Sequence, residues 1–303
     1  MHPLLHVLPE VAEALAAGRP VVALESTVIA HGLPRPDNLA MARDMQAAVR
    51  AHGAVPATLA LMDGRIRVGL SDAELERLAT AREVRKVSRR DLAAVLARGE
   101  LGATTVAGTL ACAALAGIRL FATGGLGGVH RGGELSLDVS ADLPELARSP
   151  LGVVCAGAKS VLDLPRTLEV LESLGVPVVG YGTGHFPAFF CQDSGLALPH
   201  RVDGPREAAR MLAAHFAICP GGVVLAQPPP AGACLPATEV EALVAEAEVE
   251  ARHQGVSGPA LTPFLLARLV ARSGGRTLAV NQALLLANAA AAADIAVALA
   301  AGS

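Results

Sequence analysis

The sequence predicts an α/β fold: a largely parallel sheet covered by helices on both faces. Three observations predict it. Short apolar runs alternate with helix-length patterns along most of the chain. Runs such as Val21–Leu24 are apolar at every position, as in strands buried on both sides. Chemistry-bearing residues follow run after run, as they do where ligands gather beyond the carboxyl ends of parallel strands. An eight-unit barrel is the rival arrangement, and a local hairpin and an all-helical C-terminus weigh against it. Across 303 residues no internal repeat and no long polar linker divides the chain, so it reads as one domain over residues 1–303.

The elements follow in order. Val21–Leu24 reads as a buried strand and Asp37–His52 as a helix. Thr58–Met62 and Arg65–Val68 flank Asp63-Gly64, a hairpin signal. Ser71 with Glu74 forms a capping box opening a helix to Thr80. A strand Val84–Val87 precedes Ser88 and Asp91, which start a helix to Arg98. Small residues from Thr104 to Ala116 read as a helix, followed by the strand Ile118–Ala122 and the glycine-rich loop Gly124–Gly133. A helix is expected near Asp142–Arg148. Strand Gly152–Ala156, helix Leu164–Leu174, strand Pro177–Gly180, helix Pro205–Ala217 and strand Val223–Ala226 continue the rhythm. Gln227–Pro236 is rich in Pro and reads as a surface crossover, with helices after it.

Composition limits the function. Hydrophobic residues make up 52% of the chain, with no Trp and one Tyr, so small aliphatics must fill the core. A net charge of −3 and few aromatics leave no footprint for nucleic acid. The five Cys contain no CxxC pair, which indicates neither a disulfide framework nor a zinc knuckle. Residues 1–18 lack a basic n-region and do not read as a signal peptide. The Ala-rich stretch Ala283–Ala300 is interrupted by Asn288 and Asp294, and reads as a buried helix rather than a membrane span. A soluble cytoplasmic protein is expected.

Lysine usage is the sharpest chemical signal. Only Lys86 and Lys159 stand among 25 Lys and Arg residues. Arg is in effect never deprotonated, whereas a lysine amine can attack a carbonyl. Lys159 closes the run from Gly152 and so places an amine at a strand mouth. Glu25 directly follows Val21–Leu24, where partial burial should raise its pKa toward general-acid use; a capping acid is the plain alternative. The loop Gly124–Gly133 can bring backbone N–H groups to a phosphate, but it has neither a P-loop lysine nor a dinucleotide fingerprint. Asp138-Val139-Ser140-Ala141-Asp142 offers a carboxylate for a hard divalent ion, or ordinary helix-opening acids. Thr104 and Thr105 open a small-residue segment that could be an anion site or close helix packing.

Together these segments resemble one family, the pseudouridine-5′-phosphate glycosidases, also called indigoidine synthase A-like. The resemblance rests on Ala23-Leu24-Glu25-Ser26-Thr27-Val28-Ile29-Ala30-His31-Gly32-Leu33-Pro34, on Lys86–Leu92, on Gly102–Ala107 and on Thr123–Gly132. It continues through Asp138–Leu143, Val153–Ser160, Thr262–Arg268 and Asn281. It implies an α/β/α three-layer fold, a homotrimer and one Mn²⁺ per subunit. The implied reaction is reversible cleavage of pseudouridine 5′-phosphate to uracil and ribose 5-phosphate. Residue by residue it implies Lys159 as nucleophile, Glu25 as proton donor, Asp138 as metal ligand and Lys86, Val106, Ser140, Ala141 and Asp142 at the substrate. Thr104, Thr105, Thr123, His130 and Asn281 join the implied substrate-binding set. Three stretches depart from the family pattern: Gly184-His185, Gln192, and Gln227–Ala231. Two other functions share some of these features. A Schiff-base aldolase would use Lys159 but release no uracil, and a non-catalytic sugar-phosphate sensor would bind without turnover.

Overall fold

The structure, a computed structural model, describes residues 2–302. Eleven strands form one sheet. Its main path runs Leu5–Val7, Arg65–Val68, Val55–Met62, Val21–Leu24, Leu120–Ala122, Gly152–Cys155, Val223–Ala226, Val178–Tyr181 and His200–Val202. Every pairing from Val55–Met62 to His200–Val202 is parallel. Antiparallel joints occur where Val55–Met62 meets Arg65–Val68 across the Asp63-Gly64 turn, and where it meets Gly102–Thr104. All eight residues of Val55–Met62 and all four of Val21–Leu24 are buried, so helices cover both faces as the uniformly apolar runs require. The three-layer α/β/α expectation holds.

The C-terminal helix Arg276–Ala301 packs against the helices Asp37–Ala51 and Pro205–Ile218 and against the central strands Leu120–Ala122 and Gly152–Cys155. It is long and apolar enough to cross a membrane, yet half of its apolar window is buried inside the fold. Ala allows that close approach, which is why a weakly apolar helix can occupy the core.

Some boundaries differ from the sequence reading. Thr104 does not open a helix. Gly102–Thr104 is a strand paired with Arg85–Val87, and Thr105 caps the helix Val106–Ala116 by accepting the Gly108 N–H. Three small residues carry no period, so only the partner strand decides their state. The edge strands Leu5–Val7 and His200–Val202 and the helix Pro9–Ala16 were too short or too mixed to stand out in the pattern.

Candidate functional site

Three adjacent central strands end at one cavity of about 440 Å³. Val21–Leu24 delivers Glu25, Leu120–Ala122 leads through Thr123 to the glycine loop, and Gly152–Cys155 leads to Lys159. The strand ladder continues past the strand ends. Thr123 N–H donates to Val154 O (3.0 Å), Ala156 N–H to Gly124 O (2.8 Å), Leu126 N–H to Gly157 O (2.9 Å) and Lys159 N–H to Leu126 O (3.1 Å). The glycine loop and the Lys159 turn are thus zipped together, which fixes where the amine begins. Gly157 sits at φ +75° with the Pro187 carbonyl against the place a Cβ would occupy, so no other residue fits that turn.

Asp142 builds the next wall. It is 6% exposed, and its two oxygens accept the Ala107 N–H (2.9 Å) and the Gly127 N–H (2.8 Å). One carboxylate therefore ties the first turn of helix Val106–Ala116 to the glycine loop. A Cβ at Gly127 would stand 2.7 Å from the Asp142 oxygen, which is why the loop needs Gly there.

Thr123 Oγ1 donates to Glu25 Oε1 at 2.5 Å. Burial raises the Glu25 pKa; Lys159 and the Thr123 hydrogen bond oppose the rise, while nearby Asp142 adds to it. At the rim Lys86 keeps an exposed side chain, yet the surrounding protein and then Lys159 push its pKa below the usual lysine value. His31 and His130 are also pushed down, chiefly by burial, with Lys86 lowering both and Asp138 opposing the shift at His130. His130 Nε2 lies 3.3 Å from Thr262 Oγ1.

Most of the residues singled out from the sequence line this cavity. Glu25, Lys86, Lys159 and Asp138 do, as do Thr105, Val106, His130, Asn281 and the segment Ser140, Ala141 and Asp142. Two do not. Thr104 is wholly buried, with its hydroxyl on Leu59 O and its N–H on Ser26 Oγ, so it braces the strand end instead of facing a ligand. Thr123 is wholly buried behind Glu25 and reaches the pocket only through that carboxyl. In the basic run after Lys86, Arg89 is held by the buried Glu145 at 2.6 Å, leaving Ser88 and Arg90 on the lining.

Sequence reasoning missed His31, Phe189 and Thr262 as wall residues. His31 and Thr262 lay inside the family-like runs and could have been named from them. Phe189 could not, because it faces the pocket from a left-handed backbone at φ +59° that no local pattern announces. Gly184, His185, Gln192 and Gln227, where the chain departs from the family pattern, are absent from the described lining.

Among the described residues no group of three or more His, Cys, Asp or Glu could hold a metal. Of the three carboxylates on the lining, Glu25 accepts from Thr123 and Asp142 from two backbone N–H groups, which leaves Asp138 as the donor for a metal. That suits a hard divalent ion retaining most of its water and does not suit a closed protein cage. A larger open groove of about 870 Å³ shares Leu162 with this pocket. Its ionic side chains are already engaged: Arg131 with Glu241 and Glu248, Asp163 with Arg166. The smaller cavity holds the reactive set.

Residues 10–298 match the family model described as indigoidine synthase A like protein. A protein of Methylobacterium nodulans named pseudouridine-5′-phosphate glycosidase is 56% identical over 299 residues, 98% of this chain and 89% of the relative. One of Jannaschia sp. with the same name is 57% identical over 283 residues, 93% of each. Among solved structures, the prealnumycin C-glycosynthase AlnA in complex with ribulose 5-phosphate superposes with a TM-score of 0.93 at 41% identity, covering 100% of this chain and 99% of that one. An indigoidine synthase A-like protein of Thermotoga maritima gives a TM-score of 0.89 at 35% identity, covering 99% and 98%.

Proposed function

This chain belongs to the indigoidine synthase A-like family, and from that premise we propose that it is a pseudouridine-5′-phosphate glycosidase. It cleaves the carbon–carbon link between base and sugar in pseudouridine 5′-phosphate, reversibly, giving uracil and ribose 5-phosphate. The observation that carries this reading is that both lysines of the chain and the raised-pKa Glu25 line one cavity.

A carbon-linked base cannot leave as a protonated heteroatom, so the usual two-carboxylate glycosidase strategy does not serve. Opening the sugar ring exposes C1′ to the Lys159 amine. The nitrogen lone pair of the adduct then expels the base as its C5 takes a proton, and water hydrolyses the resulting iminium to free Lys159. Glu25, whose pKa burial raises, moves the protons. Lys86 at the rim neutralises the 5′-phosphate, together with the positive end of the helix opened by Thr105. Asp142 holds the glycine loop and that helix in register.

Asp138 would hold Mn²⁺, one per subunit, with water at most positions. When bound, the ion supplies positive charge beside the sugar phosphate. A homotrimer is part of the same reading; Leu135 and Leu137, 89% and 82% exposed beside Asp138, offer apolar surface for contact between subunits. A phosphorylated substrate does not cross membranes freely, so the reading also places the chain in the cytoplasm, supplied by a separate kinase. Incubation with pseudouridine 5′-phosphate and Mn²⁺ should release free uracil. Ribose 5-phosphate binding without uracil release would sink the proposal, and aldol cleavage of a sugar phosphate would replace it with a lyase.

A further inference from the structure

Asn288 is the one polar residue between Leu284 and Ala293. It is wholly buried in the C-terminal helix. Its Nδ2 donates to Thr123 O at 2.8 Å and, more weakly, to Gly124 O at 3.4 Å. Its Oδ1 is buried with no partner among the described residues. Facing two carbonyls, the amide must present nitrogen to them, so the unpaired atom is the oxygen. A leucine would remove that stranded oxygen but would also take the Asn288 donor from the Thr123 carbonyl, so the amide is kept for what it grips.

The Thr123 N–H is held by Val154 O and its carbonyl by Asn288, so both ends of that residue are fixed. The hydroxyl between them is the one that donates to Glu25 at 2.5 Å. One and two turns earlier on the same helix, Leu285 and Asn281 line the pocket itself. The helix thus touches the site directly at two positions and grips its frame at a third.

We infer that Asn288 is a positioning residue for C-glycoside cleavage, acting through Thr123 to hold the Glu25 carboxyl in place for proton transfer. This rests on Glu25 moving the protons, as proposed above. The charged groups that face Glu25 are Lys159, Asp142 and Lys86, and Asn288 hydrogen-bonds to none of them. Thr123 is the neutral link. Its hydrogen bond opposes the upward push of burial on Glu25, so loosening it should move the Glu25 limb of the pH profile to higher pH.

The test uses the full-length chain with pseudouridine 5′-phosphate and Mn²⁺. The variants are Asn288→Ala, Asn288→Ser, Thr123→Val, Thr123→Ser, Glu25→Gln and the double variant Asn288→Ala with Thr123→Val. Asn288→Ala should lower kcat about tenfold, leave KM within about twofold and raise the pH of the Glu25 limb. Thr123→Val should do the same, and Thr123→Ser, which keeps the hydroxyl, should restore the parent profile. In the Thr123→Val background, Asn288→Ala should add no further loss of kcat. An equal loss in both backgrounds, or a loss confined to KM or melting temperature, overturns the inference, as does failure of both Asn288→Ala and Asn288→Ser to fold. Turnover retained by Glu25→Gln is a separate result. It would remove Glu25 from the mechanism and with it the basis of this assignment.

Discussion

The floor and the rim of the pocket are built differently. At the floor, Glu25, Thr123 and Lys159 follow three adjacent parallel strands, and backbone hydrogen bonds continue the ladder beyond the last strand residue. At the rim, Lys86 lies in the middle of the three-residue edge strand Arg85–Val87 with an exposed side chain, and Asp138 sits in a loop between the exposed Leu137 and Val139. A group that must meet a reacting atom within a fraction of an ångström belongs on the rigid part. A group that holds a phosphate or a hydrated ion tolerates looser support. Floor substitutions should therefore abolish chemistry, while rim substitutions should weaken recognition.

The largest effect is expected at Lys159. Lys159→Arg keeps the charge but has no amine able to attack, so kcat should fall by at least about a thousandfold. In the parent chain, borohydride trapping with ribose 5-phosphate should add mass at Lys159. Mass at Lys86 would reverse the division between floor and rim. Next comes Lys86→Ala. In the proposed function, energy from the remote phosphate positions C1′ against Lys159, so kcat/KM on pseudouridine 5′-phosphate should drop about a hundredfold. The residual rate on unphosphorylated pseudouridine should barely change, and equal proportional losses on both substrates would make Lys86 structural.

Asp138→Asn should raise the Mn²⁺ concentration needed for half-maximal activity about tenfold, with Lys159→Ala leaving metal binding intact. Full activity of exhaustively chelated enzyme would remove the metal from the rim. The smallest effect is on stability. Folding raises the Glu25 pKa, so its contribution is fully present below the ordinary carboxylate range and is lost as pH rises through the raised value. Glu25→Gln escapes that loss. It should melt about 2 °C above the parent at pH 8 and level with it near pH 4. A constant offset at both pH values would show that Glu25 carries no burial penalty.

Much of the floor was legible in the sequence because parallel strands buried on both faces are written as unbroken apolar runs. The residue after such a run, Glu25, is placed by the run itself. Lys159 stood out because the chain otherwise uses Arg. The rim was legible mainly through family-like text. Thr104 and Thr105 show where local reading stops: adjacent identical residues, one locked in a strand under Leu59 and Ser26, the other capping a helix at the pocket wall.

The sequence by itself determined the layered class, the hairpin, the main strand–helix rhythm and the two amines available for chemistry, because hydrophobic period, turn residues and side-chain chemistry are local properties. Only the tertiary structure decided that Thr123 serves Glu25 from behind, that Asp142 spends both oxygens joining two segments, that Arg89 is taken by Glu145, and that an asparagine in an alanine-rich helix grips the active-site frame. Each of those depends on which polar groups meet across the core. Such pairings lie 15 to 165 positions apart in the chain, beyond the reach of any local pattern.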